Sequence, residues 1–149
     1  MQNMTEPFAS IQSRRRTWIG QEPSRAQPFA VRTVDEGHVA RPSELRRGDI
    51  WTIDFGPEIG NHPALLVSRT GSMRRRWRAV VALITSEGIG LPTEVTVGSR
   101  HGLTRDSVID CEDLYTVATD DVKRRVGDLD PDTQDAVDRA LVIALGLRA

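Results

Sequence analysis

Residues 46–68, RRGDIWTIDFGPEIGNHPALLVS, constrain this chain more than any other stretch. Trp51, Ile53 and Phe55 alternate with Thr52 and Asp54, the period-two pattern of a strand with one buried face. Gly56, Pro57, Gly60 and Asn61 then supply the residue types that reverse a backbone cheaply. The uninterrupted apolar run Ala64, Leu65, Leu66, Val67 predicts a second and more deeply buried strand.

The segment RTGSMRRR, residues 69–76, reads as a loop with Gly71 and Ser72 at its apex. After it the alternation resumes, with Trp77, Ala79, Val81 and Leu83 on one face and Arg78, Val80, Ala82 and Ile84 on the other. Both faces are apolar enough for a central strand, and Trp77 is expected in the core. A hairpin centred near Met73 sets Val67 opposite Val80 and His62 opposite Thr85. That register brings an imidazole and a hydroxyl to the same edge of the sheet from distant sequence positions.

Further along, a loop at residues 86–92 leads to a short strand at 93–97 and a turn at 98–102. Ser107 to Cys111 and Leu114 to Val117 read as two strands, or as one bent strand interrupted by Glu112 and Asp113. Residues 121–125 are expected to form one helical turn. A helix is better marked at the end of the chain: Asp130 as N-cap, Pro131 in the first helical position, and an apolar face of Ala136, Val137, Ala140, Leu141, Ala144 and Leu145 closing near Gly146. Five or six short strands with little helix between them predict a mainly β fold, a small antiparallel barrel with a C-terminal helix packed on it. A chain of 149 residues, 38% apolar and 28% charged, supplies one such core. Residues 1–44, punctuated by Pro7, Pro23, Pro28 and Pro42, show neither alternation nor a helical stripe and read as a flexible or docking arm; residues 45–149 form the barrel domain.

Several function classes find no support. Cys111 is the single cysteine, so no intramolecular disulfide forms, and no apolar run resembles a signal peptide or a membrane span. A cytoplasmic protein without membrane contact is expected. His38, His62, His101 and Cys111 lack ligand spacing, so neither a metal nor another cofactor is expected, and no glycine-rich nucleotide loop is present. The net charge of −1 conceals basic clusters at Arg14 to Arg16, Arg46 and Arg47, and Arg74 to Arg78, so any recruitment of nucleic acid falls to local patches.

The order of short motifs resembles the MazF/PemK toxin family over about residues 46–147. The carriers are Arg47-Gly48-Asp49-Ile50, Pro63-Ala64-Leu65-Leu66-Val67-Ser68, Ile84-Thr85-Ser86, Leu91-Pro92-Thr93-Glu94-Val95, Gly102-Leu103 with Asp106-Ser107-Val108, Tyr115-Thr116-Val117, and Val137-Asp138 with Ala140-Leu141. The resemblance implies an SH3-like β-barrel, a homodimer, and a metal-independent endoribonuclease that cuts single-stranded RNA and is neutralised by a cognate antitoxin. In that family an arginine directly before the strand-two proline and a threonine ending strand three form the catalytic pair. The threonine carries over onto Thr85; the arginine position holds His62, after a shortened turn in which only Asn61 and His62 separate Gly60 from Pro63.

Metal-free RNA cleavage uses the ribose 2'-hydroxyl as internal nucleophile and needs a base, an acid and a cation for the phosphate. His62 fits base or acid, its imidazole having an ordinary pKa of about 6.5; it equally fits a plain turn residue at a strand mouth. Thr85 suits a strand for its branching alone, and the family pattern assigns it to the site. Arg69, Arg74, Arg75 and Arg76 are candidates for phosphate, and Ser86 for a hydroxyl or backbone donor. The leading expectation is an endoribonuclease toxin with His62 and Thr85 at the cleaving centre. Two alternatives stand beside it: a catalytically degenerate binding module for RNA, an antitoxin-like peptide or a protein, and a gyrase-directed toxin of the same fold. If the arm lies over the groove that RNA or antitoxin uses, its removal raises cleavage activity or partner affinity, measured on purified protein with and without it; unchanged behaviour leaves it a tail.

Overall fold

The computed structural model describes residues 40–148. Most of the arm expected at residues 1–44 lies outside the described residues. Ala40, however, is already part of the packed unit: it donates its amide to the Val122 carbonyl and is buried in the same core as Leu45.

Six strands form a single antiparallel sheet in the order β4-β5-β3-β2-β1-β6. They are β1 (Asp49–Asp54), β2 (Asn61–Leu66), β3 (Arg78–Thr85), β4 (Glu94–Val97), β5 (Ser107–Ala118) and β6 (Val122–Asp128). Among the described residues two α-helices accompany the sheet, α1 (Thr70–Arg76) and α2 (Pro131–Leu145). The turn between β1 and β2 forms as its composition predicts, with Gly56 and Gly60 at positive φ and the Phe55 amide donating to the Gly60 carbonyl. The register of β2 on β3 is the expected one, Ala64 opposite Leu83, Leu65 opposite Ala82 and Leu66 opposite Val81. β3 is central, flanked by β2 and β5.

Period-two alternation divides the side chains between two cores. Trp51, Ile53, Ala64, Leu66, Ala79, Val81, Val117 and Val122 fill one face. On the other, Ile50, Leu65, Ala82, Ile84 and Ile109 meet Val137, Ala140 and Leu141 of α2. Helix α2 begins and ends where its capping residues say it should: Asp130 accepts from the Thr133 amide, Pro131 follows, and Gly146 closes it in the left-handed conformation.

β5 is one strand and not two, and the acidic interruption within it is a bulge. Ala82 pairs with Leu114 whereas the next residue, Leu83, pairs with Asp110, so Cys111, Glu112 and Asp113 are extra on β5. The bent single strand is one of the two alternatives expected, whereas two expectations are corrected. Residues 121–125 form no helical turn; a short 3-10 helix at Thr119–Asp121 leads into β6, which pairs with β1. The segment expected to be an arginine loop is helix α1, whose Met73 is fully buried in the core that also holds Ala40, Leu45 and Trp51. Burying a methionine completely contributes about 1.5–3 kcal/mol, an anchor that a solvated loop would forgo. Its three arginines sit in the last turn, where cations complement the helix dipole.

β4 and β6 lie at the two ends of the sheet and do not pair, but the turn after β4 reaches β6. The 3-10 helix Ser99–His101 that follows β4 lies against β6, so closely that a Cβ on Gly102 would stand 2.1 Å from the Val126 carbonyl oxygen and one on Gly127 2.0 Å from that of His101. His101, buried, then ties this turn to α2: its Nδ1 accepts from the Gly98 amide, which leaves Nε2 to donate to Asp130 Oδ1 at 2.9 Å. Hydrogen bonds from the Thr133 hydroxyl and from His101 hold the Asp130 carboxyl well below the usual carboxylate range.

Gly102 and Gly56 share the same φ of 87°, but a Cβ on Gly56 would meet nothing within 4 Å. Gly56→Ala is therefore expected to cost about 1 kcal/mol of unfolding free energy in urea, the backbone term alone. Gly102→Ala adds a backbone clash and should cost at least about 3 kcal/mol. Equal losses would mean that the close approach does not matter.

Candidate active site

His62 is the second residue of β2, opposite Ile53 of β1, and half-buried at the rim of the Trp51 core. Thr85 ends β3, half-buried, opposite Val108 of β5. Ladder pairing between β2 and β3 stops at Ala64 and Leu83; carried two places further, the same register sets His62 level with Thr85. Residues directly opposite share a face, and so do residues two apart along a strand. The imidazole and the hydroxyl therefore belong to the same face at the same end of the sheet.

Burial drives the His62 pKa below 6.5, favouring the neutral imidazole, which is the form that accepts a proton. Thr85 Oγ1 accepts from the Glu87 amide at 3.1 Å, ordering the exit from β3. Ser86, next in the chain, is exposed. Beyond it, Glu94 gathers the loop: its Oε2 accepts from the amides of Ile89, Gly90 and Leu91 at 3.0, 2.7 and 3.1 Å. Desolvation would raise the Glu94 pKa, but these backbone bonds outweigh it and hold the carboxyl below its ordinary value. The strap holds two exposed apolar side chains, Ile89 and Leu91, on the loop that follows Thr85.

The arginine candidates are elsewhere. Arg69 and α1 follow the far end of β2, and His62 is five residues, roughly 16 Å, from Val67 along the strand direction. Arg69, Arg74, Arg75 and Arg76 are exposed there, with Arg74 donating to the Ser43 carbonyl. Trp77, expected in the core, is 61% exposed: α1 takes Met73 inward instead and leaves Trp77 as its cap in the left-handed conformation. One arginine that motif reading passed over is Arg105, in the bend that precedes β5 and three residues before Val108, the ladder partner of Thr85.

A cavity of about 400 Å³, which neither His62 nor Thr85 lines, opens between Asp54, Phe55 and Ile59 of the first turn and Tyr115, Thr116 and Asp121. Phe55 and Tyr115 meet edge to face at 5.2 Å between ring centroids. Sixty residues separate these rings in sequence, so no local pattern announces the cavity. Among the described residues no cluster of His, Cys, Asp and Glu is arranged to hold a metal ion. Cys111 is buried, and burial followed by the neighbouring Asp110 charge pushes its thiol up to about 11, which leaves it inert as a nucleophile. No helix among these residues is long and apolar enough to cross a membrane.

A family model described as PemK-like, MazF-like toxin of type II toxin-antitoxin system matches residues 46–145. The chain belongs to the PemK/MazF toxin family. Endoribonuclease EndoA of Bacillus subtilis is 33% identical over 111 residues, covering 69% of this chain and 96% of that protein. Among solved structures, the Mycobacterium tuberculosis toxin MazF-mt6 aligns with a TM-score of 0.62 at 28% identity, over 68% of this chain and 99% of its own. A mycobacterial endoribonuclease in complex with its cognate antitoxin aligns at 0.64 and 28% identity, over 70% of this chain and 98% of that one. The six-stranded antiparallel sheet with its C-terminal helix is the fold of these toxins, as the sequence resemblance implied.

The Glu94 strap is testable. Glu94→Gln should speed hydrogen exchange at the Ile89, Gly90 and Leu91 amides by about tenfold, leaving β3 and β5 unchanged. In the unaltered protein the strap is complete at neutral pH, because the depressed pKa keeps the carboxylate ionised. Protection of these amides should be lost only as the pH falls through that pKa, below the ordinary carboxyl value of 4.5.

Proposed function

We propose that this PemK/MazF-family chain is the toxin of a type II toxin-antitoxin pair, a metal-independent endoribonuclease acting in the cytoplasm on single-stranded RNA. The observation that supports the reading is the β2–β3 register, whose extension beyond Ala64 and Leu83 would set His62 level with Thr85. Its relative EndoA is named an endoribonuclease, and a structural neighbour was solved with its cognate antitoxin. By the same likeness we assign this chain a homodimeric state and an antitoxin that neutralises it.

In this reading neutral His62 takes the proton of a ribose 2'-hydroxyl. The 2'-oxygen then bonds to the adjacent phosphorus as the bond from phosphorus to the 5'-oxygen breaks, leaving a 2',3'-cyclic phosphate and, once the departing oxygen has taken a proton from water, a 5'-hydroxyl. Thr85 donates a hydrogen bond to a phosphoryl oxygen, and the backbone after it, including Ser86, lies in reach of the same group. Arg105, in the bend before β5, supplies the permanent cation. Arg69 and the α1 arginines hold the strand away from the cut. Histidine in place of the family's arginine moves this centre from charge stabilisation towards proton transfer.

A long single-stranded RNA incubated with the protein in EDTA should yield discrete cuts with cyclic-phosphate ends. His62→Ala and Thr85→Ala should each slow cleavage by about 100-fold or more. Since the burial of His62 lowers its pKa, the rate should hold constant down to pH 6.5 and fall only below it, as the imidazole protonates. That acid limb should vanish from the residual activity of His62→Ala. Absence of cuts, with both substitutions silent in a growth-arrest assay, would assign the chain to the binding-module class instead.

A further inference from the structure

Trp77 is the single non-glycine residue at positive φ among the described residues, at 55°. It caps α1, its amide donating to the Met73 carbonyl, a place where glycine sits without strain. It is also 61% exposed, so most of its indole gains nothing from the core. Backbone strain and apolar exposure thus coincide in one residue, and nothing in the packing of the barrel accounts for either. Arg74, Arg75, Arg76 and Arg78 beside it are all exposed. A protein-docking hot spot would ring a tryptophan with further apolar side chains. Guanidinium groups around an open aromatic face match a phosphate backbone with an unpaired base stacked on the ring. The neighbouring Thr119–Asp121 helix, bonded to the Trp77 carbonyl through the Thr119 amide, brings two carboxylates, and the arginines outnumber them.

We propose that Trp77, with Arg75, Arg76 and Arg78, is a second RNA contact: a stacking platform that holds a base of the substrate strand far from the bond that is cut. This rests on the ribonuclease reading and extends it. Thr85 and Arg78 bound the same strand seven residues apart, roughly 23 Å. A stacked strand rising about 3.4 Å per nucleotide covers that span in about seven nucleotides. The platform therefore engages long single strands and leaves very short ones to the cleaving end.

The test measures binding of a fluorescein-labelled 20-nucleotide 2'-O-methyl oligouridylate, which lacks the nucleophile, to the full-length protein by anisotropy. Trp77→Gly should weaken binding about tenfold, the loss expected for one stacked base. The same variant should melt at or above the temperature of the unaltered protein, because glycine relieves the left-handed strain. Tryptophan fluorescence should be quenched by the oligonucleotide, and the Trp77 share of that quenching should disappear in the variant. Unchanged affinity would overturn the platform alone, and, if joined by a change in sedimenting mass, would assign this face to contact between copies of the chain. A lowered melting temperature would make Trp77 a structural residue and overturn the proposal in the same way. If the unaltered protein binds no oligonucleotide, the ribonuclease reading falls together with the platform.

Discussion

The contact on which this fold turns is a backbone one. Gly102 and Gly127 let the turn after β4 press against β6 more closely than any side chain would allow, and that approach links the far ends of a six-stranded sheet through a turn. His101 makes the link stiff. It is buried between the turn it belongs to and the cap of α2, so the seam, the turn and the helix are held through one imidazole.

Much of this was legible in the sequence because the signals were local. Alternation marked β1 and β3, paired glycines marked the first turn, and Asp130, Pro131 and Gly146 bounded α2. The β2–β3 register was also legible, since the apolar runs leave one alignment that buries both strands. What could not be read depends on distant partners. RTGSMRRR looks like a loop until Met73 enters the core that Ala40, Leu45 and Trp51 share, and tertiary burial then overrides weak propensity. Trp77 followed the alternation of β3 into a predicted core, but the strand begins one residue later and the helix cap turns the indole outward.

The candidate site shows the same division. The β2–β3 ladder ends at Ala64 and Leu83, and only its extension sets His62 level with Thr85; the chemical role proposed for the two rests on the family resemblance. Charge did not behave so simply, because a run of arginines next to the site in sequence proves to be a strand length away in space. In a small barrel the two ends of a hairpin belong to different surfaces, so composition locates basic residues without saying which end they serve.

The bulge in β5 has a consequence for the lengths this chain can tolerate. Before it, Ile109 faces α2 and Val108 the opposite side; after it, Tyr115 and Val117 belong to the Trp51 core and Leu114 to the α2 core. Cys111, Glu112 and Asp113 are an odd number of extra residues, so they exchange the parity of the strand and let one β5 serve both cores in turn. Gain or loss of a single residue there would send Tyr115 and Val117 out of their core, whereas a change by two would preserve the faces. Insertions and deletions compatible with this barrel are therefore quantised at residues 111–113, an arithmetic rule that no single-residue substitution reveals.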